Sequence, residues 1–251
     1  MFSLKNKVIV VSGASSGIGQ QCAITCSEMG ATLILFDINK EKLEITQSLL
    51  KNQSFFSFVQ DIKEIDHFES GINKVVNELG AIDGFVHSAG IQNTLPLRLH
   101  NSDIYRNQFD INVIAGFEAC RVLTKKNNFN VKGGSIVLIA SVRGFLGASN
   151  QVGYTASKGA VIAGVKSLAL ELAQRNIRVN SISPGMVENT EMTKKIVAQL
   201  SPEWSEKNKS EYPLGWVSTY DIANTCVFLL SDESKKITGT NIIVDGGFSA
   251  K

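Results

Sequence analysis

The chain has 251 residues, 43% of them hydrophobic and 19% charged, which suits one domain with a well-filled core or at most two small ones. Its 25 basic and 23 acidic residues leave a formal net charge of +2, so no global field draws it to nucleic acid or to a membrane surface. The longest basic patches are pairs such as Lys125-Lys126, Lys194-Lys195 and Lys235-Lys236, and no apolar run is long enough to span a bilayer.

Residues 8–11 are a short β-branched run closed by Ser12-Gly13, the pattern of a strand buried on both faces. A helical stretch follows to Met29, where Gly30 supplies a C-terminal cap. A second strand at 32–36 ends at Asp37, and a helix over 40–50, a strand over 55–59 and a helix over 65–79 come next. A strand at 82–87 leads into a turn at Gly90. The second half repeats the rhythm with a long helix over 102–124, a strand over 135–140, a helix over 151–174 and a strand over 178–182. After a polar stretch, a helix over 219–230 and a strand over 241–244 close the chain. This alternation predicts an α/β fold whose parallel sheet is covered by helices on both faces. No linker or short repeat interrupts it, so residues 1–251 are expected to make one domain.

Residues 186–217 break the rhythm with Pro202, Pro213, both tryptophans and weak helical patterning. The stretch is too long for an ordinary connection. It leaves the carboxyl end of a strand, where such sheets bind ligands, and so reads as a substrate-binding lid; the plainer alternative is a surface loop. Four cysteines do not suggest a disulfide framework. Cys22 and Cys26 share a helix face as small core residues, and His67, His87 and His100 repeat no ligand spacing, so no metal is expected. The first seven residues lack an apolar signal segment, which predicts a cytoplasmic protein.

Ser12-Gly13-Ala14-Ser15-Ser16-Gly17-Ile18-Gly19 lies between the first strand and the first helix. Glycines there allow a tight turn and close approach of a pyrophosphate, whose charge faces the amino end of the helix. With a strand before, a helix after and Asp37 at the end of the next strand, the pattern predicts a dinucleotide site. Asp37 can accept hydrogen bonds from both hydroxyls of an adenosine ribose and would repel a 2′-phosphate, so NAD(H) is expected over NADP(H). Lys40 and Lys42 are the nearby bases that argue the other way.

The Gly-x3-Gly-x-Gly turn, the Tyr154-x3-Lys158 pair and Ser141 thirteen residues before it make the chain resemble the short-chain dehydrogenase/reductase family over essentially its whole length. The resemblance implies a Rossmann fold of about seven strands in the order 3-2-1-4-5-6-7. It also implies an NAD(P)-dependent oxidoreductase acting between an alcohol and a ketone, commonly as a homotetramer. It places Gly13, Ser15, Ser16, Gly17, Ile18 and Gly19 around the pyrophosphate, Asp61 and Ile62 against the adenine, and Ser88, Ala89 and Gly90 at the fourth strand's end. Pro184 and Gly185, with the Val187 backbone and Thr190, fall near the nicotinamide carboxamide. The active-site tetrad falls on Asn112, Ser141, Tyr154 and Lys158, with Lys158 also holding the nicotinamide ribose and Asn112 anchoring a water chain from it.

The chemistry suits each role. Hydride transfer to a carbonyl needs a proton for the developing alkoxide. Tyr154 supplies it, and Lys158, one helical turn on, is expected to lower the phenol's pKa by its charge. Ser141 can orient the carbonyl oxygen. Two positions depart from the family pattern: Ser88 replaces an asparagine that ties neighbouring strands, with His87 beside it, and Asn189 stands where a threonine is usual, with Thr190 next. Substrate-facing positions are expected in 91–97, 142–151 and the lid. Among them Arg143 either holds an anionic group or points to solvent, and Gln151 and Met186 are further candidates. Within the family, NADPH-dependent 3-oxoacyl-[acyl-carrier-protein] reductases are the alternative reading. Outside enzymes, the alternative is a non-catalytic dinucleotide-binding scaffold or sensor.

Overall fold

A computed structural model describes residues 2–198 and 201–250. Residues 199 and 200, inside the expected lid, lie outside the described residues. The strands are β1 (Val8–Ser12), β2 (Thr32–Asp37), β3 (Phe55–Val59), β4 (Gly84–His87), β5 (Gly134–Ile139), β6 (Ile177–Pro184) and β7 (Asn241–Val244). They pair in parallel throughout, in the order β3-β2-β1-β4-β5-β6-β7, as expected.

Alternate residues of the central strands face opposite layers. Val10, Ile34, Phe36, Phe85, Ile136 and Leu138 pack with α3 (Ile65–Leu79), α5 (Ala115–Leu123) and α6 (Val152–Leu172). Ile9, Val11, Leu33, Leu35, Val137 and Ile139 pack with α1 (Gly17–Glu28), α2 (Lys40–Leu49) and α9 (Thr219–Leu230). Burial on both faces is why these strands read as unbroken apolar runs. The cysteines belong to this core: all four are buried and unpaired, and Cys22 Sγ approaches Cys226 Sγ of α9 at 3.5 Å.

Chain order reverses between β1 and β4, because β1 feeds β2 on one side and pairs with β4 on the other. The carboxyl ends of these strands therefore open a crevice, the place where doubly wound sheets hold ligands.

Three details differ from the sequence expectation. β4 starts at Gly84, because Ile82 is held outside the sheet by hydrogen bonds with Asn128 and Asn130. The long helix is not continuous: α4 (Ser102–Phe109) and α5 are joined by a π-helical turn over Asp110–Ile114. Such turns carry one extra residue and often mark functional sites. The polar stretch after β6 holds two real helices, α7 (Glu191–Ala198) and α8 (Pro202–Ser210). Pro202 sits in the first turn of α8 and the Ser201 hydroxyl accepts from the Trp204 N–H.

Candidate active site

The glycine turn shows why its residues are small. Gly13 has φ +73°, and a Cβ there would stand 2.6 Å from the Ala89 nitrogen. A Cβ on Gly19 would overlap the Gly13 carbonyl oxygen at 2.0 Å. The β1 turn, the start of α1 and the Ser88-Ala89 backbone can meet only because these side chains are absent. Ser16, the N-cap of α1, makes no side-chain cap hydrogen bond. The first amides of α1 are thus left for an anion, whereas Asn39, Asn101 and Ser218 cap α2, α4 and α9 with their own side chains. This cradle fits a pyrophosphate.

Asp37 ends β2 beside it. One carboxylate oxygen accepts the Ser15 N–H at 3.0 Å and the other the Asn39 N–H at 2.9 Å. Each oxygen keeps a further acceptor position, as ribose hydroxyls require. Asp61 and Ile62 follow β3 on the same edge of the sheet. Asp61 accepts the Lys63 N–H at 3.0 Å, and Ile62 is buried. At the other end, Pro184 closes β6 and the Gly185 N–H donates to Val244 O at 3.0 Å. Val187 bridges to Val217. Of the two residues in question after it, Asn189 takes up a left-handed φ of +60°. Thr190 turns its methyl toward Gly17, 3.5 Å from where a Cβ would stand. Its hydroxyl accepts the Thr193 N–H at 3.1 Å, which starts α7.

The four tetrad residues come from three segments: Asn112 from the π turn, Ser141 from the end of β5, and Tyr154 and Lys158 from α6. Asn112 is buried and clamps the chain after Gly90. Its Oδ1 accepts the Ile91 N–H at 2.8 Å, while Nδ2 donates to Ile91 O at 2.9 Å and to Ser157 Oγ at 3.0 Å. Ser157 in turn donates to Tyr154 O at 2.8 Å. Ser157 was not singled out from sequence, although it directly precedes Lys158. Gly90 is wedged between: a Cβ there would lie 3.2 Å from Asn112 Oδ1 and 3.5 Å from Lys158 Nζ.

Lys158 Nζ donates to Ile139 O at 2.7 Å and lies 5.9 Å from the Tyr154 ring centroid. Burial lowers its pKa to about 8. Burial pushes the Tyr154 phenol up, and the opposing pulls are a hydrogen bond with the Ser141 hydroxyl and the positive charge of Arg143. The Lys158 ammonium donates to a carbonyl of β5 in this structure, and desolvation acts on both groups. Ser141 Oγ also accepts the Arg143 N–H at 3.1 Å.

His87 provides the strand tie that Ser88 is too short to make. Its Nδ1 shares a 2.8 Å hydrogen bond with Ser12 Oγ, joining β4 to β1 at their paired ends. Burial lowers its pKa to about 3, so the ring is neutral. Arg143 does not simply point to solvent. Its guanidinium donates to Gly147 O at 3.1 Å and lies 5.3 Å from the Phe248 ring centroid. Phe248 stacks on Tyr212, whose hydroxyl accepts the Met186 N–H at 3.3 Å. Gln151 is the N-cap residue of α6, and its buried Oε1 has no hydrogen-bond partner among the described residues. A surface hollow of about 320 Å³ beside α1 is lined by Gly17, Gln20, Glu188 and Tyr220 among others and contains none of the tetrad. Among the described residues no three His, Cys, Asp or Glu side chains gather as a metal site, and no helix is long and apolar enough to cross a membrane.

Comparison with known proteins agrees with this arrangement. The family model described as Enoyl-(Acyl carrier protein) reductase matches residues 13–249. The 3-oxoacyl-[acyl-carrier-protein] reductase FabG of Thermotoga maritima is 36% identical over 252 residues, covering 97% of this chain and 98% of that protein. Carveol dehydrogenase from Mycobacterium avium, solved in complex with NAD, superposes with a TM-score of 0.90 at 28% identity over 100% of both chains. A 7α-hydroxysteroid dehydrogenase solved with NADH and 7-oxo glycochenodeoxycholic acid gives 0.90 at 27% identity, covering 98% of this chain and 95% of that one. With a family match across nearly its whole length, relatives that are dehydrogenases and reductases, and the seven-stranded sheet in the same order, the chain belongs to the short-chain dehydrogenase/reductase family and is an oxidoreductase.

Proposed function

We propose that the protein transfers a hydride between NAD(H) and a secondary alcohol or ketone, with Asn112, Ser141, Tyr154 and Lys158 as its catalytic residues. The observation that carries this reading is the buried phenol of Tyr154, hydrogen-bonded by Ser141 and stacked over by Lys158, at the carboxyl edge of a sheet whose neighbouring turn is built for a pyrophosphate.

When bound, the nicotinamide supplies or accepts the hydride. Tyr154 gives its phenolic proton to the oxygen of the reacting carbon in reduction and takes it back in oxidation. Ser141 holds that oxygen with its hydroxyl and stabilises charge there as it grows. Lys158 binds the nicotinamide ribose and, with a pKa near 8, can pass a proton toward solvent. Asn112 fixes the Ile91 backbone and Ser157, and so the turn of α6 that carries both Tyr154 and Lys158. Gly13, Ser15, Ser16, Gly17, Ile18 and Gly19 hold the pyrophosphate, Asp37 the adenosine ribose, and Asp61 with Ile62 the adenine. Ser88, Ala89, Gly90, Pro184, Gly185, Val187 and Thr190 line the rest of the cofactor groove. Residues 186–217 act as a lid, and Arg143, Gln151 and Met186 face the substrate.

Asp37 supports NAD(H) over NADP(H). A second reading, reduction of a 3-oxoacyl-[acyl-carrier-protein] with NADPH, is favoured by the 36% identity to a reductase of that name. We further propose a cytoplasmic homotetramer, supported by the exposed Ile114 and Leu170 on the α5 and α6 side and by Ile243 on the edge strand β7. The test of function is Tyr154→Phe against a panel of ketones and secondary alcohols. We expect kcat to fall about 10²–10⁴-fold with dinucleotide binding kept. Undiminished turnover would refute the mechanism. Separate titrations with NADH and NADPH at one ionic strength decide the cofactor: tighter NADPH brings the acyl-carrier reading forward.

A further inference from the structure

The groove expected to hold the adenosine ribose is flanked by a charge pair that joins two distant parts of the chain. Asp37 Oδ1 accepts the Asn39 N–H at 2.9 Å, and Asn39 Oδ1 accepts the Lys42 N–H at 3.0 Å. Lys42 thus sits in the first turn of α2, two hydrogen-bonded links from the carboxylate that meets the ribose. Its ammonium forms an ion pair with Glu191, the first residue of α7. The contact reaches past the glycine turn, where the neighbouring Thr190 places its methyl by Gly17. Lys40, the other base near Asp37, is directed along α2 to Glu44 at 3.9 Å and is largely exposed. The Lys42 charge holds the Glu191 carboxyl below its usual range, aided by Lys195 and Lys194 on its own helix, so Glu191 stays ionised.

We infer that Glu191 is a specificity-determining residue that sets the choice of dinucleotide by keeping Lys42 neutralised. A 2′-phosphate beside Asp37 needs a cation, and Lys42, linked to Asp37 through Asn39, is already matched by a carboxylate. The 2′-hydroxyl of NADH needs only an acceptor, which Asp37 provides. Glu191 therefore discriminates against NADPH by withholding Lys42. Both partners are about half exposed, at 39% and 51% of their side-chain surface, so the pair itself adds little to folding stability. Its consequence is felt in binding. The inference rests on the proposal that a dinucleotide lies in this groove with its adenosine ribose at Asp37.

The test is a set of dissociation constants for NADH and NADPH at low ionic strength, read by protein fluorescence on the full chain. Wild type, Glu191→Gln, Lys42→Met and the double variant are compared. We expect Glu191→Gln to tighten NADPH about three- to tenfold while NADH changes less than about twofold. In the double variant the gain disappears, because Lys42 is its source. Raising the salt should shrink it as well. An unchanged NADPH-to-NADH ratio in Glu191→Gln overturns the inference, as does a gain that persists without Lys42. Failure of wild type to bind either dinucleotide overturns the underlying site instead, and is read from wild type alone before any variant is made.

Discussion

Replacing Lys158 by methionine should stabilise the protein while disabling it. The side chain is buried, and burial takes its pKa from 10.5 to about 8. At pH 7 the ammonium is still charged, and that drop corresponds to about 3 kcal/mol of unfavourable burial. Methionine fills similar volume without charge. Against this, Ile139 O loses its 2.7 Å donor, a loss of about 1–2 kcal/mol. The net gain is about 1–2 kcal/mol, or a melting temperature higher by about 3–6 °C for a domain of this size. The pH dependence gives the decisive signature. The unfolded lysine keeps its proton to 10.5 and the folded one releases it near 8, so between those values the unfolded chain binds more protons and wild-type stability rises with pH. The variant has no such titration, so its advantage is fullest at and below pH 7 and shrinks above pH 8. Thermal melts without nucleotide at pH 7, 8, 9 and 10 measure it. A variant that melts below wild type at pH 7, or a difference constant across the series, refutes the reasoning.

Gly13→Ala should abolish dinucleotide binding in titrations, because a Cβ at φ +73° meets the Ala89 backbone at 2.6 Å and the turn must open to admit it. His87 is neutral when folded, with a pKa near 3 against 6.5 in the unfolded chain, so stability falls as pH drops through that window; His87→Gln should flatten the fall, read from urea midpoints at pH 7 and pH 5. Asn112→Ala leaves the Ile91 N–H and carbonyl without their side-chain partner and should cost about 2–3 kcal/mol in the same urea series, with kcat reduced as α6 loses its anchor. Light scattering of the purified protein should report four times the 27.2 kDa chain mass; a monomer would remove the tetramer proposal.

The strands and helices were legible because each strand is a short apolar run and each helix begins and ends at recognisable residues, whereas the strand order followed only from the family resemblance. Gly30 follows α1, Asp37 closes β2, and Ser218 with Asp221 forms the capping box of α9. That Tyr154 and Lys158 share a helix, one turn apart, was legible from spacing. The electrostatics were not. Spacing puts an ammonium beside a phenol, but which carbonyl takes the ammonium, and how deeply both are buried, depends on β5 and on Gly90 from elsewhere in the chain. The tie between Ser12 and His87 and the pair between Lys42 and Glu191 span 75 and 149 residues, beyond any local pattern. The π turn was hidden for another reason: Asp110-Ile111-Asn112-Val113-Ile114 has the composition of ordinary helix, and one surplus residue leaves no mark in its hydrophobic periodicity.

That surplus residue works as a change of phase. Along an α-helix each residue turns the next by about 100°, so an insertion rotates everything downstream relative to everything upstream. Gln108 before the turn packs against the start of α6, while Ala119, Val122 and Leu123 after it are pressed into the layer shared with α3. A continuous α-helix could satisfy one of these rotational settings and would swing the other toward water. The five-residue turn lets both hold, and Asn112 sits within the turn, with its amide reaching Ile91 and Ser157. Shortening the segment by one residue would restore regular winding and remove the clamp in the same step. The helix thus keeps its irregular winding at the cost of regular backbone hydrogen bonding, and the position of Asn112 is tied to the length of this one turn.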